Sequence, residues 1–250
     1  TEACLYYLDN AAHDLPAGVM DEVRAQMRAL EEKTGKTFGG RDNPLLVSVR
    51  SGSAMSMPGM MDTILNLGLN IDTLKGLIAQ TGNERFGWDA YRRFIQLFGK
   101  VALGVRDEAF DAEFEAVKEM SGAKQDIALT ARDLHEISDR FLDVVERETG
   151  KAFPDDPMEQ LEIAVKAVFD SWMGKRAVDY RREFNITPEM ANGTAVNIVT
   201  MVFGNLGDDC ATGVGFTRYP DTGENRLFGE YLVNAQGEDV VAGIRTPKTI

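Results

Sequence analysis

The stretch Pro44 to Asn70, PLLVSVRSGSAMSMPGMMDTILNLGLN, constrains the fold more than any other part of the chain. It opens on an apolar run, residues 45–49, whose length and β-branched content suit a buried strand. Arg50 ends that run. Ser51, Gly52, Ser53, Ala54 and Ser56 then predict a small-residue turn, punctuated by Pro58 and Gly59. Beyond them Met60, Ile64 and Leu67 recur at roughly helical spacing, with Asp62 and Thr63 placed to cap that helix or to approach metal-bound phosphate. The methionines at 55, 57, 60 and 61 read as gap-filling side chains. A strand that delivers an arginine into a loop of small residues suits a polyanion, because backbone N–H groups can approach phosphate oxygens while the guanidinium grips two of them. The same pattern also suits an ordinary surface turn.

Around this stretch the hydrophobic period is mostly helical. Val19, Val23, Met27 and Leu30 fall on one face of a helix predicted over residues 15–34, stopped by Gly35. A helix over 71–80 ends near Gly82. Asn83 caps the next, with Tyr91, Phe94, Ile95, Phe98 and Val101 on one stripe. Residues 107–120 form another. Thr130 followed by Asp133 signals a cap for a helix through Glu148, and Pro157 starts one whose apolar face runs to Trp172. The last third changes period: residues 196–203, 213–218, 228–234 and 240–244 read as strands separated by turn residues. The fold class is therefore α+β. Its expected division is a first α/β part over 1–70, an inserted helical subdomain over 71–153, a helical return over 154–195 and a β-rich second part over 196–250.

With 250 residues, 44% of them hydrophobic, the chain can bury a sizeable core. A net charge of −13 argues against a general nucleic-acid binder, though one local cluster of arginine and backbone amides is enough for a nucleotide. Cys4 and Cys210 form neither a disulfide framework nor a metal pattern. No apolar run reaches the roughly 18 residues of a membrane span and no signal peptide opens the chain, so a cytoplasmic protein is expected.

Four blocks carry a family likeness: VSVRSGSAMSMPGMMDTILNLGLN, TGNERFGWDAYRRFIQLFGKVALGV, GTAVNIVTMVFGNLGDDCATGVGFTRYPDTGEN and GEYLVNAQGEDVVAGIRTP. Together they resemble the N-terminal nucleotide-binding domain of the pyruvate, phosphate dikinase family. The resemblance implies the ATP-grasp architecture, ATP and Mg²⁺ as ligands, and a role in making phosphoenolpyruvate from pyruvate, ATP and phosphate, with AMP and diphosphate released. It implies as partners the phosphohistidine and pyruvate-binding domains of the same full-length protein, a homodimer, and neither nucleic acid nor membrane. The family carries a Gly-Gly-Lys-Gly turn before the start of this sequence and further ligand-bearing strands after its end. A piece of a longer protein is therefore expected, one that binds ATP weakly and turns nothing over alone.

The residues expected to hold ATP or its phosphates are Arg50, Ser51, Gly52, Gln236, Gly237, Glu238 and Arg245, with Lys124, Arg218, Glu230 and Asp239 as weaker candidates. Each has an ordinary alternative: a hairpin turn for Gln236–Asp239, salt bridges for Arg218 and Arg245, an exposed loop for Lys124, solvated carboxylates for Glu230 and Asp239. Metal ligands are not legible. His13 and His135 match no Gly-Gly-x-Thr-x-His-Ala setting, so no phosphocarrier histidine is expected in this chain. Two positions depart from the family: Ala54 stands where a basic residue is usual, and Tyr219 where Asn usually precedes Pro220. Two alternatives to the dikinase reading stay open: a non-catalytic docking or regulatory module, and a phosphoenolpyruvate synthase-type phosphotransferase.

Overall fold

The computed structural model describes residues 1–241 and 245–250, with nothing of the side chains of Glu238 and Val241. The chain forms two compact units, Thr1–Met201 and Val202–Ile250. The first is built on a three-stranded antiparallel sheet in the order β4-β3-β5, from β3 (Val47–Gly52), β4 (Thr63–Leu67) and β5 (Ala195–Thr200). Ahead of it come helices α1 (Glu2–Asp9) and α2 (Val19–Thr34), then a small parallel pair, β1 (Thr37–Phe38) and β2 (Pro44–Leu45). Gly35 stops α2 in the left-handed conformation, as expected. The helix begins at Val19 rather than Leu15, because Pro16 and Gly18 make a turn there, closed by the Val19 amide donating to the Pro16 carbonyl.

Period-2 alternation gives the sheet one dry face. Val47, Val49, Ile64 and Leu67 are all fully buried, and α7 (Pro157–Asp170) lies against this face with its stripe of Leu161, Ala164, Val165 and Val168. A buried glutamine ties α7 to the chain leaving β4. The Gln160 Oε1 accepts from the Gly68 amide at 3.1 Å, and its Nε2 donates to the Leu69 and Pro154 carbonyls at 3.0 and 2.9 Å. Every hydrogen-bonding group of that amide is thus used, which removes the cost of burying it. Trp172 falls just past α7, in a one-turn 3₁₀ segment that precedes α8 (Lys175–Glu183).

Between β4 and α7 the described chain is helical: α3 (Ile71–Thr81), α4 (Glu84–Ala102), α5 (Asp107–Ser121) and α6 (Ala131–Thr149). Asn70 and Thr73 form a capping box on α3, the Asn83 side chain caps α4, and Thr130 with Asp133 caps α6. The aromatic stripe of α4 is buried: Phe94 and Phe98 pack on Phe153, and Phe110 meets Phe141 edge-on at 4.9 Å. Helix α4 is shared with the sheet rather than confined to a separate helical core, since it also lies along β4, where the Asn66 amide donates to the Ala90 carbonyl.

The helix expected over Met60–Leu67 is the strand β4. Its register against β3 slips between Val47↔Leu67 and Val49↔Ile64, so one extra residue is accommodated as a β-bulge. Asn66, at φ 59°, takes up the strain. The bulge puts Ile64 and Leu67 on the same dry face although they are three residues apart, and that spacing imitates a helix.

The second unit holds a three-stranded antiparallel sheet in the order β6-β7-β8, from β6 (Ala211–Phe216), β7 (Phe228–Val233) and β8 (Lys248–Thr249), with a short helix α9 (Gly237–Val241) between β7 and β8. Two expectations change here. Residues 196–200 belong to the first unit's sheet as β5, so the boundary falls after Met201 rather than at 196. Of the strand expected over 240–244, Val240 and Val241 lie in α9, because Asp239 closes a helical turn, and the remainder lies outside the described residues. No helix among the described residues is long and apolar enough to cross a membrane.

Candidate functional site

The second face of the β4-β3-β5 sheet is wet, and Arg50 is its centre. Alternation along Val47–Gly52 turns Ser48 and Arg50 away from the dry face. Arg50 pairs with Thr63 on β4 and Asn197 on β5, so it has a polar neighbour on each side across the sheet. The guanidinium is held from below: Nε donates to the Ser48 Oγ at 2.9 Å, and that hydroxyl, itself buried, donates to the Val199 carbonyl at 3.4 Å. The side chain is exposed, and its two terminal amino groups make no hydrogen bond or ion pair among the described residues. One edge of the fork is fixed and the other is presented to solvent, the arrangement that grips a carboxylate or phosphate in two places.

Ser51 and Gly52 sit differently from expectation. Instead of opening a turn, they extend β3 and pair with Val196 and Ala195. The Gly52 amide is spent on the Thr194 Oγ at 3.0 Å, so it does not face a ligand. A Cβ on Gly52 would lie 2.6 Å from the Asn197 Nδ2, which means that the glycine makes room for the Asn197 amide beside Arg50. Ser48 and Asn197 were not anticipated as site residues. The alternation in VSVRSG could have shown Ser48 sharing a face with Arg50, whereas Asn197 reaches it only through the pairing of strands 147 positions apart (197 − 50).

The loop from Ser53 to Asp62 returns the chain to β4. Asp62 caps no helix: its amide donates to the Ser171 Oγ at 3.2 Å, and its carboxylate takes the Arg176 guanidinium at 2.6 Å. Thr63 is the first residue of β4. Lys124 is exposed in the α5–α6 loop, which Arg85 holds by donating to the Leu129 and Asp126 carbonyls.

In the second unit the expected ligand residues serve mainly local structure. The Asp239 carboxylate accepts from the Gln236 amide at 2.9 Å and starts α9. Gln236 is buried and Gly237 exposed, while the side chain of Glu238 lies outside the described residues. Arg245 donates to the Val233 and Asn234 carbonyls at 3.2 and 3.0 Å, capping the end of β7. Arg218 donates to the Gly223 carbonyl across an exposed turn. Glu230 stands on β7 between Val214 and Thr249. Tyr219 is held by the Arg226 guanidinium 4.3 Å above its ring and by Phe228 edge-on. Among the described residues no group of three or more His, Cys, Asp and Glu is arranged to hold a metal ion.

The structure therefore defines an α+β protein with a preorganised arginine on an open sheet face. Residues 11–250 match the family described as pyruvate phosphate dikinase, AMP/ATP-binding domain, and the chain belongs to that family. It is 60% identical over its whole length to a pyruvate, phosphate dikinase of Entamoeba histolytica, covering 28% of that protein. Over 98% of its length it is 55% identical to one of Giardia intestinalis, again covering 28%. It is also 52% identical over its whole length to pyruvate, phosphate dikinase 1, chloroplastic, of Zea mays, covering 26%. The chain thus spans little more than a quarter of these relatives.

Proposed function

We propose that this chain is the ATP-binding portion of a pyruvate, phosphate dikinase with ATP-grasp architecture, and that Arg50 binds the nucleotide's phosphates. The single observation that carries the residue assignment is the guanidinium fixed through Nε to Ser48 with its outer edge unpaired. Family membership supports the nucleotide. In the full-length protein ATP would pyrophosphorylate a histidine on another domain and leave as AMP. Inorganic phosphate would take the outer phosphoryl group as diphosphate, and the phosphoryl group left on the histidine would pass to pyruvate to give phosphoenolpyruvate. The chain's contribution is electrostatic and positional: Arg50 orients the phosphates and stabilises charge as it moves between oxygens.

Mg²⁺ enters this reading as the ion carried by the ATP phosphates, where it supplies charge neutralisation. The partners are the phosphohistidine and pyruvate-binding domains of the same protein, which this reading makes a cytoplasmic homodimer. Segment 71–153 is the helical insertion in this scheme. Ser51, Gly237, Glu238, Arg218, Glu230 and Lys124 remain secondary candidates for nucleotide contact. Gly52 shapes the backbone beside Arg50, while Gln236, Asp239 and Arg245 shape the local backbone of the second unit.

The test is Arg50→Ala in the full-length enzyme, reading the ATP half-reaction separately from the pyruvate half-reaction. Loss of a charge-assisted phosphate contact, about 1.5–3 kcal/mol, weakens Mg-ATP binding by roughly one to two decades. The pyruvate half-reaction is expected to be unchanged. Equal losses in both halves would overturn the assignment.

A further inference from the structure

Away from Arg50, a crevice of about 240 Å³ opens where the start of α3, the second half of α6 and the approach to α7 converge. Tyr91 and Phe153 supply aromatic wall, and Asp143, Glu146 and Asp155 supply carboxylates. None of these three carboxylates makes a hydrogen bond or ion pair among the described residues. Tyr91 is 4% exposed, yet it lines the crevice, and its hydroxyl has no hydrogen-bond partner among the described residues. Burial pushes that phenol up, and the charges of Asp155 and Asp139 push it further, so it stays a neutral O–H. Asn70 is on the rim, where its Nδ2 donates to the Asp155 carbonyl at 3.0 Å and fixes that segment.

Carboxylates without cations beside aromatic rings favour a positively charged guest, through Coulomb attraction and the negative ring faces. A bare metal ion does not suit them, because no three acidic groups among the described residues converge on one point. The volume and the spread of charge suit an elongated organic cation. We propose that this crevice binds a short alkyl-diammonium ion, with its ammonium groups on Asp143, Glu146 and Asp155 and its chain against Tyr91 and Phe153. Such a guest would tie α6 to the segment entering α7, which Asn70 already links to α3. It concerns a different place from Arg50 and stands independently of the nucleotide reading.

The experiment uses this 250-residue chain and 1,4-diaminobutane, with NaCl at matched ionic strength as control. Calorimetry and the ¹³C resonance of the Tyr91 ring, assigned with Tyr91→Phe, report binding. Expected are millimolar or tighter affinity, a Tyr91 shift that NaCl does not produce, and at least about tenfold weaker binding in Asp143→Asn/Glu146→Gln. Both substitutions are at exposed positions on α6, with Glu146 in the last turn, where removing negative charge favours the helix dipole. The double variant should therefore fold as well as the parent. Equal affinity in parent and double variant, or a response no larger than that to NaCl, would overturn the site.

Discussion

The Arg41 carbonyl oxygen lies 1.5 Å from where a Cβ on Gly76 would stand. The loop ahead of β2 is thereby pressed onto the side of α3, and the contact is with backbone, which cannot swing away as a flexible side chain would. In an isolated helix Gly→Ala would gain about 1 kcal/mol. Here the methyl must push the loop off the helix, an overpacking that typically costs about 1–3 kcal/mol and more against backbone. Gly76→Ala is expected to lower stability by about 3 kcal/mol, read as a fall in urea midpoint. A stability unchanged or raised would show that the loop does not pack as described.

A second expectation concerns Asp89, buried in α4 with Arg92 at 2.5 Å and Arg93 at 3.0 Å. Burial pushes its carboxyl up, but the two guanidiniums outweigh that and hold it well below the usual carboxylate range. An unfolded Asp takes up a proton near pH 4, whereas the folded one does not. The contribution is thus complete above that value and is lost as pH falls toward the folded pKa. Asp89→Asn should cost about 3–5 kcal/mol at pH 7, since it strands buried guanidinium charge. The variant should also lose less further stability than the parent between pH 5 and pH 3 in urea titrations. Parallel pH curves would refute the pairing.

Asn66 tests the bulge. It combines a left-handed φ of 59° with a hydrogen bond from its Nδ2 to the Ala90 carbonyl at 3.2 Å. Asn66→Ala forfeits both, for about 2–3 kcal/mol in sum. Asn66→Gly keeps the backbone freedom and loses the hydrogen bond to Ala90, about 1 kcal/mol. The order parent, Gly, Ala in chemical denaturation is the check. Alanine equal to glycine would mean that the backbone conformation there carries no strain.

That bulge also explains where sequence reading succeeded and failed. Caps depend on neighbours within four residues, so Asn83, Thr130 with Asp133, Gly35, Gly82 and Pro157 were all legible and mark real helix ends. Hidden was whatever depends on distant pairing. Ile64 and Leu67 share a face only because a bulge shifts the register. Gly52 is strand rather than turn only because Thr194–Val196 lies beside it. Arg50 itself was legible as a candidate, from an arginine following an apolar run. Its anchorage was not, because the Ser48 hydroxyl that holds it is in turn oriented by a carbonyl on β5. In the second unit, Asp239 and Arg245 carry the charges a ligand site needs, but local carbonyls and amides claim them.

Ser48 provides the sharpest test of preorganisation, because in this reading it touches Arg50 and not the nucleotide. Removing its hydroxyl leaves the charge of Arg50 intact and frees its Nε edge. A neutral hydrogen bond contributes about 0.5–1.5 kcal/mol. If it serves to hold the fork ready, Ser48→Ala weakens Mg-ATP binding by about 2–12-fold, short of the one to two decades expected for Arg50→Ala. Ser48→Thr keeps an oxygen at the same place and should restore most of that loss. Calorimetric titration of both variants in the full-length protein, beside a urea midpoint for each, separates binding from folding. If Ser48→Ala lost stability but bound Mg-ATP as tightly as the parent, the serine would serve the sheet alone, and Arg50 would orient itself without it.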